Sequence, residues 1–68
     1  MNTLRVRAVA GRKLPAINAD GLPIQGRFVG YDRRGAILQE SDGQPGVPVP
    51  ADSYHLRAVK NGDLEEVS

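Results

Sequence analysis

Apolar and polar positions alternate from Leu4 to Ala10. Leu4, Val6, Ala8 and Ala10 share one side and Arg5, Arg7 and Val9 the other, which is the period of a half-buried strand. Gly11 ends that run, and Arg12-Lys13-Leu14-Pro15 leads into a second short extended piece. Asn18-Ala19-Asp20-Gly21 is a turn signal, with Gly21 free to take positive φ. Ile17 before it and Leu22-Pro23-Ile24 after it read as the arms of a small, irregular hairpin. Two prolines deny those arms a full ladder, so they are expected at an edge or outside a sheet.

The clearest hairpin pattern comes next. Arg27-Phe28-Val29-Gly30-Tyr31 and Ala36-Ile37-Leu38-Gln39 flank the turn Asp32-Arg33-Arg34-Gly35. Phe28 and Ile37 or Leu38 are the best core candidates on this pattern. Glu40 to Gly46 reads as a loop. Val47-Pro48-Val49-Pro50 alternates valine with proline and predicts a stiff arm close to polyproline II, laid along a surface. For the last segment two readings stand. Asp52 or Ser53 caps a short helix through Tyr54 to Lys60 that ends at Asn61-Gly62, or Tyr54 to Val59 is a strand and Asn61-Gly62 turns it into Leu64 to Val67. The helix is favoured, because the cap residues and Lys60 in the last turn suit it and β-branched residues are few. The expected class is therefore mainly β, small and irregular: short strands and hairpins, an extended Pro-rich arm and one short C-terminal helix. One domain is expected over 1–68, with a β-rich part at 4–39, loop and arm at 40–50, and helix and tail at 51–68.

Composition sets how much core such a chain can build. Sixty-eight residues make one small domain, which buries only about 60% of the surface its unfolded form exposes. The apolar residues are mostly small, with seven Ala and seven Val against six Leu, three Ile, one Phe and no Trp. Burial returns free energy in proportion to apolar area, at roughly 25 cal/mol per Å², so this core is weak. There is no cysteine to staple it. Such a chain is expected to complete its core against another protein or another copy of itself. No apolar run approaches the roughly 20 residues of a membrane span, and Met1 to Arg7 lacks a signal-peptide core. These features point to synthesis in the cytoplasm and no membrane partner.

Charge divides the chain in two. Residues 1–34 carry seven basic side chains against Asp20 and Asp32; residues 35–68 carry Arg57 and Lys60 against six carboxylates. The halves are formally +5 and −4 although the total is only +1. A chain polarised in this way can close on itself, meet a neighbouring copy head to tail, or offer one face to an anionic partner.

Candidate chemistry is sparse. His55 is the only histidine and has no second His or Cys to share a metal with, so it is expected to pack beside Tyr54 and Leu56. Asp63, Glu65 and Glu66 form an acidic cluster, but adjacent glutamates on a strand point to opposite faces and read as solvated surface. Ser53 with His55 lacks an orienting third group. No catalytic, cofactor-binding or metal-binding residue is assigned, no cofactor is expected, and the chain does not read as an enzyme. Arg33 and Arg34 at a hairpin tip, with Arg5, Arg7, Arg12 and Lys13, have the chemistry to grip phosphates, and Tyr31 and Phe28 to stack bases. The near-zero total charge makes nucleic acid an unlikely partner, though a small basic β-module binding nucleic acid remains the alternative of a different class.

The order of motifs at the two ends carries more information. Val6-Arg7-Ala8-Val9-Ala10-Gly11-Arg12-Lys13-Leu14-Pro15, then Gly21-Leu22-Pro23 and Gly26-Arg27, open the chain. Val49-Pro50, Ser53-Tyr54, Arg57 and Gly62-Asp63-Leu64-Glu65-Glu66-Val67 close it. Together they resemble a family of short uncharacterised proteins from contractile-tailed and Mu-like phages and prophages. That family's pattern is a basic strand, a Gly-Arg-x-Val-Pro turn, a Gly-x-Pro-Leu-Pro turn, a Val-Pro arm, a run with Tyr and Arg, and a Gly-Asp-hydrophobic-x-Glu-Val tail. The resemblance covers roughly two-thirds of the chain. Phe28 to Gly46 departs from it as an inserted hairpin and loop, and Tyr54-His55-Leu56-Arg57 is poorer in aromatic and arginine residues than the family's run. Genes of this family are encoded near the tail sheath and tail terminator genes. The resemblance implies a minor structural protein of the virion, at the neck or tail where sheath meets terminator or connector. A capsid decoration or head-tail connector protein is the alternative within that class. Implied partners are those virion proteins and copies of the chain in a ring; the implied location is the virion, after the host cytoplasm. On this reading Arg5, Arg7, Arg33 and Arg34 supply a basic contact, and Asp63, Glu65 and Glu66 an acidic one. Val47, Pro48, Val49 and Pro50 form the arm, with Tyr54 and Arg57 beside it.

Overall fold

A computed structural model describes residues 2–67; Met1 and Ser68, the ends of the expected domain, lie outside the described residues. Seven short strands and one helix follow in the order β1 (Thr3–Ala8), β2 (Pro15–Ile17), β3 (Pro23–Phe28), β4 (Glu40–Ser41), β5 (Gln44–Pro45), β6 (Val47–Pro50), α1 (Ser53–Asn61) and β7 (Leu64–Glu66). The fold is small and mainly β, as the pattern predicts. Its centre is a three-stranded antiparallel sheet ordered β6-β1-β7.

Alternation along β1 sets the two faces of that sheet. Val6 and Ala8 are buried, and Val47 and Leu64 lie opposite them on β6 and β7. Arg5 and Arg7 occupy the other face. The core is Val6, Val29, Ala58 and Leu64, with Leu4, Leu14, Ala16, Val47, Val49 and Val59 packed against it. Phe28, Ile37 and Leu38, the expected core, are only half-buried. Alternation sends Phe28 away from the core and its neighbour Val29 into it.

Val47–Pro50 is the larger correction. It is a sheet strand in place of a polyproline II-like arm, because it pairs with β1 over Thr3↔Pro50, Leu4↔Val49, Arg5↔Pro48 and Val6↔Val47. The prolines tolerate this position for a reason of register. Ala51 N–H donates to Asn2 C=O (3.1 Å), and inward- and outward-facing backbone alternates along an antiparallel strand. Val49 and Val47 therefore turn their N–H groups to β1, and Pro48 and Pro50 face the free edge, where no donor is needed. That edge then offers few hydrogens to a foreign strand.

The two expected hairpins exchange importance. The irregular one forms β2–β3, pairing Pro15↔Phe28 and Ile17↔Pro23 around a register shift. The other shrinks to a single bridge, Tyr31↔Ile37. Gly30 explains the difference. At φ 78° it bends the chain against β1, where an added Cβ would lie 2.8 Å from Ala8 N. Both turns are built alike. Asn18 Oδ1 accepts from Asp20 N and Leu22 N (2.9 and 3.0 Å), and Asp32 Oδ1 accepts from Arg34 N and Ala36 N (2.8 and 2.9 Å). Each is an Asx turn that satisfies two backbone donors with one side chain. Residues 40–46, expected as loop, close as the two-residue strands β4 and β5. Asp42 and Gly43 both have positive φ (52° and 71°), the requirement of a tight hairpin turn.

The favoured helix is present. Asp52 caps its start, and Gly62 in the left-handed conformation ends it. Gly62 N–H and Asp63 N–H donate to the carbonyls of Val59 and Ala58, a Schellman closure. The chain then enters β7.

Candidate partner-binding surface

The structure divides the thirteen residues expected to meet a partner. Arg5 is half-buried and spent on contacts within the chain. Its Nε donates to Pro45 C=O (2.8 Å), and its Nη2 lies 2.9–3.2 Å from Gly46 C=O, Ser41 C=O, Ser41 Oγ and Gln44 C=O. The guanidinium fork thus pins the β4–β5 hairpin to the outer face of the sheet. Arg7 Nη1 reaches Glu65 Oε1 (3.6 Å) directly across the β1–β7 ladder, and Arg12 reaches Asp63 (3.2 Å). Part of the charge division therefore closes within one chain. Arg33 and Arg34 stand exposed at their turn, and Glu66 is exposed on the β7 edge.

Tyr54 is a clamp. Its hydroxyl donates to Pro15 C=O (2.6 Å), tying α1 to β2. Burial pushes its phenol above the usual value of 10.0, and the carboxylates of Asp52 and Asp63 add to that. Arg57 is exposed on α1 beside a hollow of about 330 Å³ that also borders Leu14, Tyr54 and Asp63.

A second depression, about 580 Å³, lies between β6, β2 and the start of α1. Ile17, Val29, Val47 and Val49 give it apolar walls, and His55 and Asp52 are polar residues that also line it. Val47, Val49 and Pro50 were expected to contact a partner, and they do border this groove. Ile17, Val29, Asp52 and His55 were not. His55 is only 4% exposed. Its backbone N–H (2.9 Å) and its Nδ1 (2.7 Å) both meet Asp52 Oδ1. The spacing from Asp52 to His55 is that of a capping box, with histidine in the usual glutamate's place; that was the legible signal. The Asp52 carboxyl is held below its usual 3.8, chiefly by the His55 backbone N–H, with burial opposing and the His55 ring assisting. Tyr54 packs edge-on to the His55 ring at 5.2 Å, as expected. Leu56 does not; it points outward and is 49% exposed.

Lys13 Nζ lies 5.5 Å from the Phe28 ring centroid and 5.8 Å from that of Tyr31. The single proton of the Tyr31 hydroxyl is shared between Arg12 C=O (2.7 Å) and Val9 C=O (3.1 Å). Among the described residues no group of three or more His, Asp or Glu is placed to hold a metal ion, and no helix is long and apolar enough to cross a membrane. Comparison with protein-family models, curated proteins and solved structures gives no match for this chain.

Proposed function

We propose that this chain is a minor structural protein of a contractile phage particle, placed at the neck or tail where sheath meets terminator or connector, and that it works by binding other virion proteins. The observation that carries the protein-binding part is the unfilled apolar groove beside β6 in a chain whose own core is four small or medium side chains. Leu22, Ile24 and Leu56 are exposed as well, at 60%, 41% and 49%. Apolar surface left open on so small a protein marks places where another polypeptide finishes the burial. The kind of particle rests on the ordered end motifs alone, an argument by analogy.

The exposed charges suit such a role. Arg27, Arg33 and Arg34 remain on one side of the charge division and Glu40, Asp42 and Glu66 on the other. Contacts of this heterologous kind close into rings when the rotation permits. Nucleic-acid binding is less well supported, because Lys13 already lies against the Phe28 and Tyr31 rings that would stack bases. Mixing the purified chain with purified sheath and terminator proteins tests the reading. Co-sedimentation with one of them at physiological salt is expected. A chain that sediments alone with every tail and neck protein, or that binds DNA with a steep salt dependence instead, contradicts it.

A further inference from the structure

The His55 ring has one nitrogen committed and one uncommitted. Asp52 is ionised and can only accept, so Nδ1 carries the proton of their 2.7 Å bond. In the neutral ring Nε2 is then a lone-pair acceptor. Among the described residues no hydrogen bond reaches Nε2. Nor is it sealed, since the fully buried side-chain nitrogen without a partner is Arg7 Nε. The ring is nevertheless almost wholly buried and His55 lines the β6 groove, so the groove is where Nε2 can meet a partner. Asn18 and Asp52, the other polar groups there, are exposed at the rim.

We propose that this groove receives an aromatic side chain bearing an N–H or O–H, a tryptophan or tyrosine of a different protein, whose hydrogen goes to His55 Nε2. This rests on the protein-binding reading above. Ile17, Val29, Val47 and Val49 supply the apolar walls such a ring buries against, and anchors of this type concentrate binding energy at interfaces. The space, about 580 Å³, is within the range of sites that enclose a ring system (about 300–1,000 Å³). A sister copy is a poor donor. The chain has no tryptophan, and both tyrosine hydroxyls donate within the fold.

The test uses the intact chain and two probes, indole and 1-methylindole, which differ in the hydrogen to be donated. Amide chemical shifts of Ile17, Val29 and Val49 are expected to move on titration with indole. The methylated probe is expected to bind roughly fivefold more weakly, the worth of one hydrogen bond. In His55→Phe, whose own amide spectrum reports whether it folds, the two probes should bind alike. Equal binding of both probes by the unsubstituted chain, or no movement at the groove at saturating indole, overturns the proposal. A chain that sediments as a dimer which indole dissociates would give the groove to a sister copy, and that also overturns it. The outcome is separable from the virion reading. Indole binding without any tail-protein partner would remove the particle and keep the groove, and the reverse result would do the opposite.

Discussion

Arg7 and Glu65 sit directly opposite one another on β1 and β7, with 3.6 Å between Nη1 and Oε1. One residue comes from the basic half of the chain and the other from the acidic half. The folded chain thus answers part of its own polarity, and Arg12 with Asp63 repeats the arrangement. Side-chain exposures of 33% and 66% keep the first pair in water, where such pairs contribute little. A double-mutant cycle with Arg7→Ala and Glu65→Ala should return a coupling of about 0.5 kcal/mol, falling with salt. A salt-independent coupling several times larger would show that the sheet is held by this pair.

Arg5 is the arginine that matters to the fold. Five contacts within 3.2 Å join it to the β4–β5 hairpin and to Gly46 just after it. Arg5→Ala is expected to cost about 2 kcal/mol, because charge-assisted bonds to carbonyls are lost together. Arg5→Lys should recover little, since an ammonium cannot reproduce the fork. Thermal melts of both variants, with amide exchange at Gly46, check this; full rescue by lysine would contradict it.

Gly43 and Gly46 have nearly the same φ, 71° and 74°, yet different surroundings. An added Cβ at Gly43 meets nothing within 4 Å, but at Gly46 it would lie 2.7 Å from Val6 C=O. Gly43→Ala should cost about 1 kcal/mol for its left-handed backbone alone. Gly46→Ala should cost at least about 2 kcal/mol more, because β1 would have to move. Denaturant titrations of the two variants give the comparison, and equal costs would show that β6 does not pass β1 this closely.

Asp52 ties helix start and groove together. Its lowered carboxyl pKa means the folded state favours the ionised form. The stability it contributes is complete above the unfolded value near 3.8 and is lost as pH falls through the lower folded value. Asp52→Asn keeps an oxygen acceptor for the cap and removes the titration, so its stability profile should be flatter on the acid limb. Asp52→Ala should cost about 1 kcal/mol at neutral pH. Acid unfolding followed by circular dichroism measures both, and parallel acid limbs for the parent and the asparagine variant would refute the assignment.

What the sequence discloses follows the range of the interaction. Asp52 and Gly62 fix the ends of α1 through bonds to residues three to five positions away, and the pattern shows them. Asn18 and Asp32 mark their turns for the same reason. The role of Val47–Pro50 depends instead on which way two prolines face, and only the register with β1, more than forty residues earlier, decides that. Arg5 and the β4–β5 hairpin meet across a similar separation. The groove is assembled from β6, β2, the start of α1 and the Val29–Gly30 segment, so no local run announces it. His55 was visible as a solitary histidine, but its use depends on Ile17, Val29 and Val49 arriving around it.

Electron cryo-microscopy of contractile-tailed particles assembled in cells that make this chain tests the central claim most directly. Density for the fold is expected at the neck or tail, in repeated copies, with the β6 groove buried against a different polypeptide. Particles that lack the chain, or that hold it with the groove open to solvent, would contradict it.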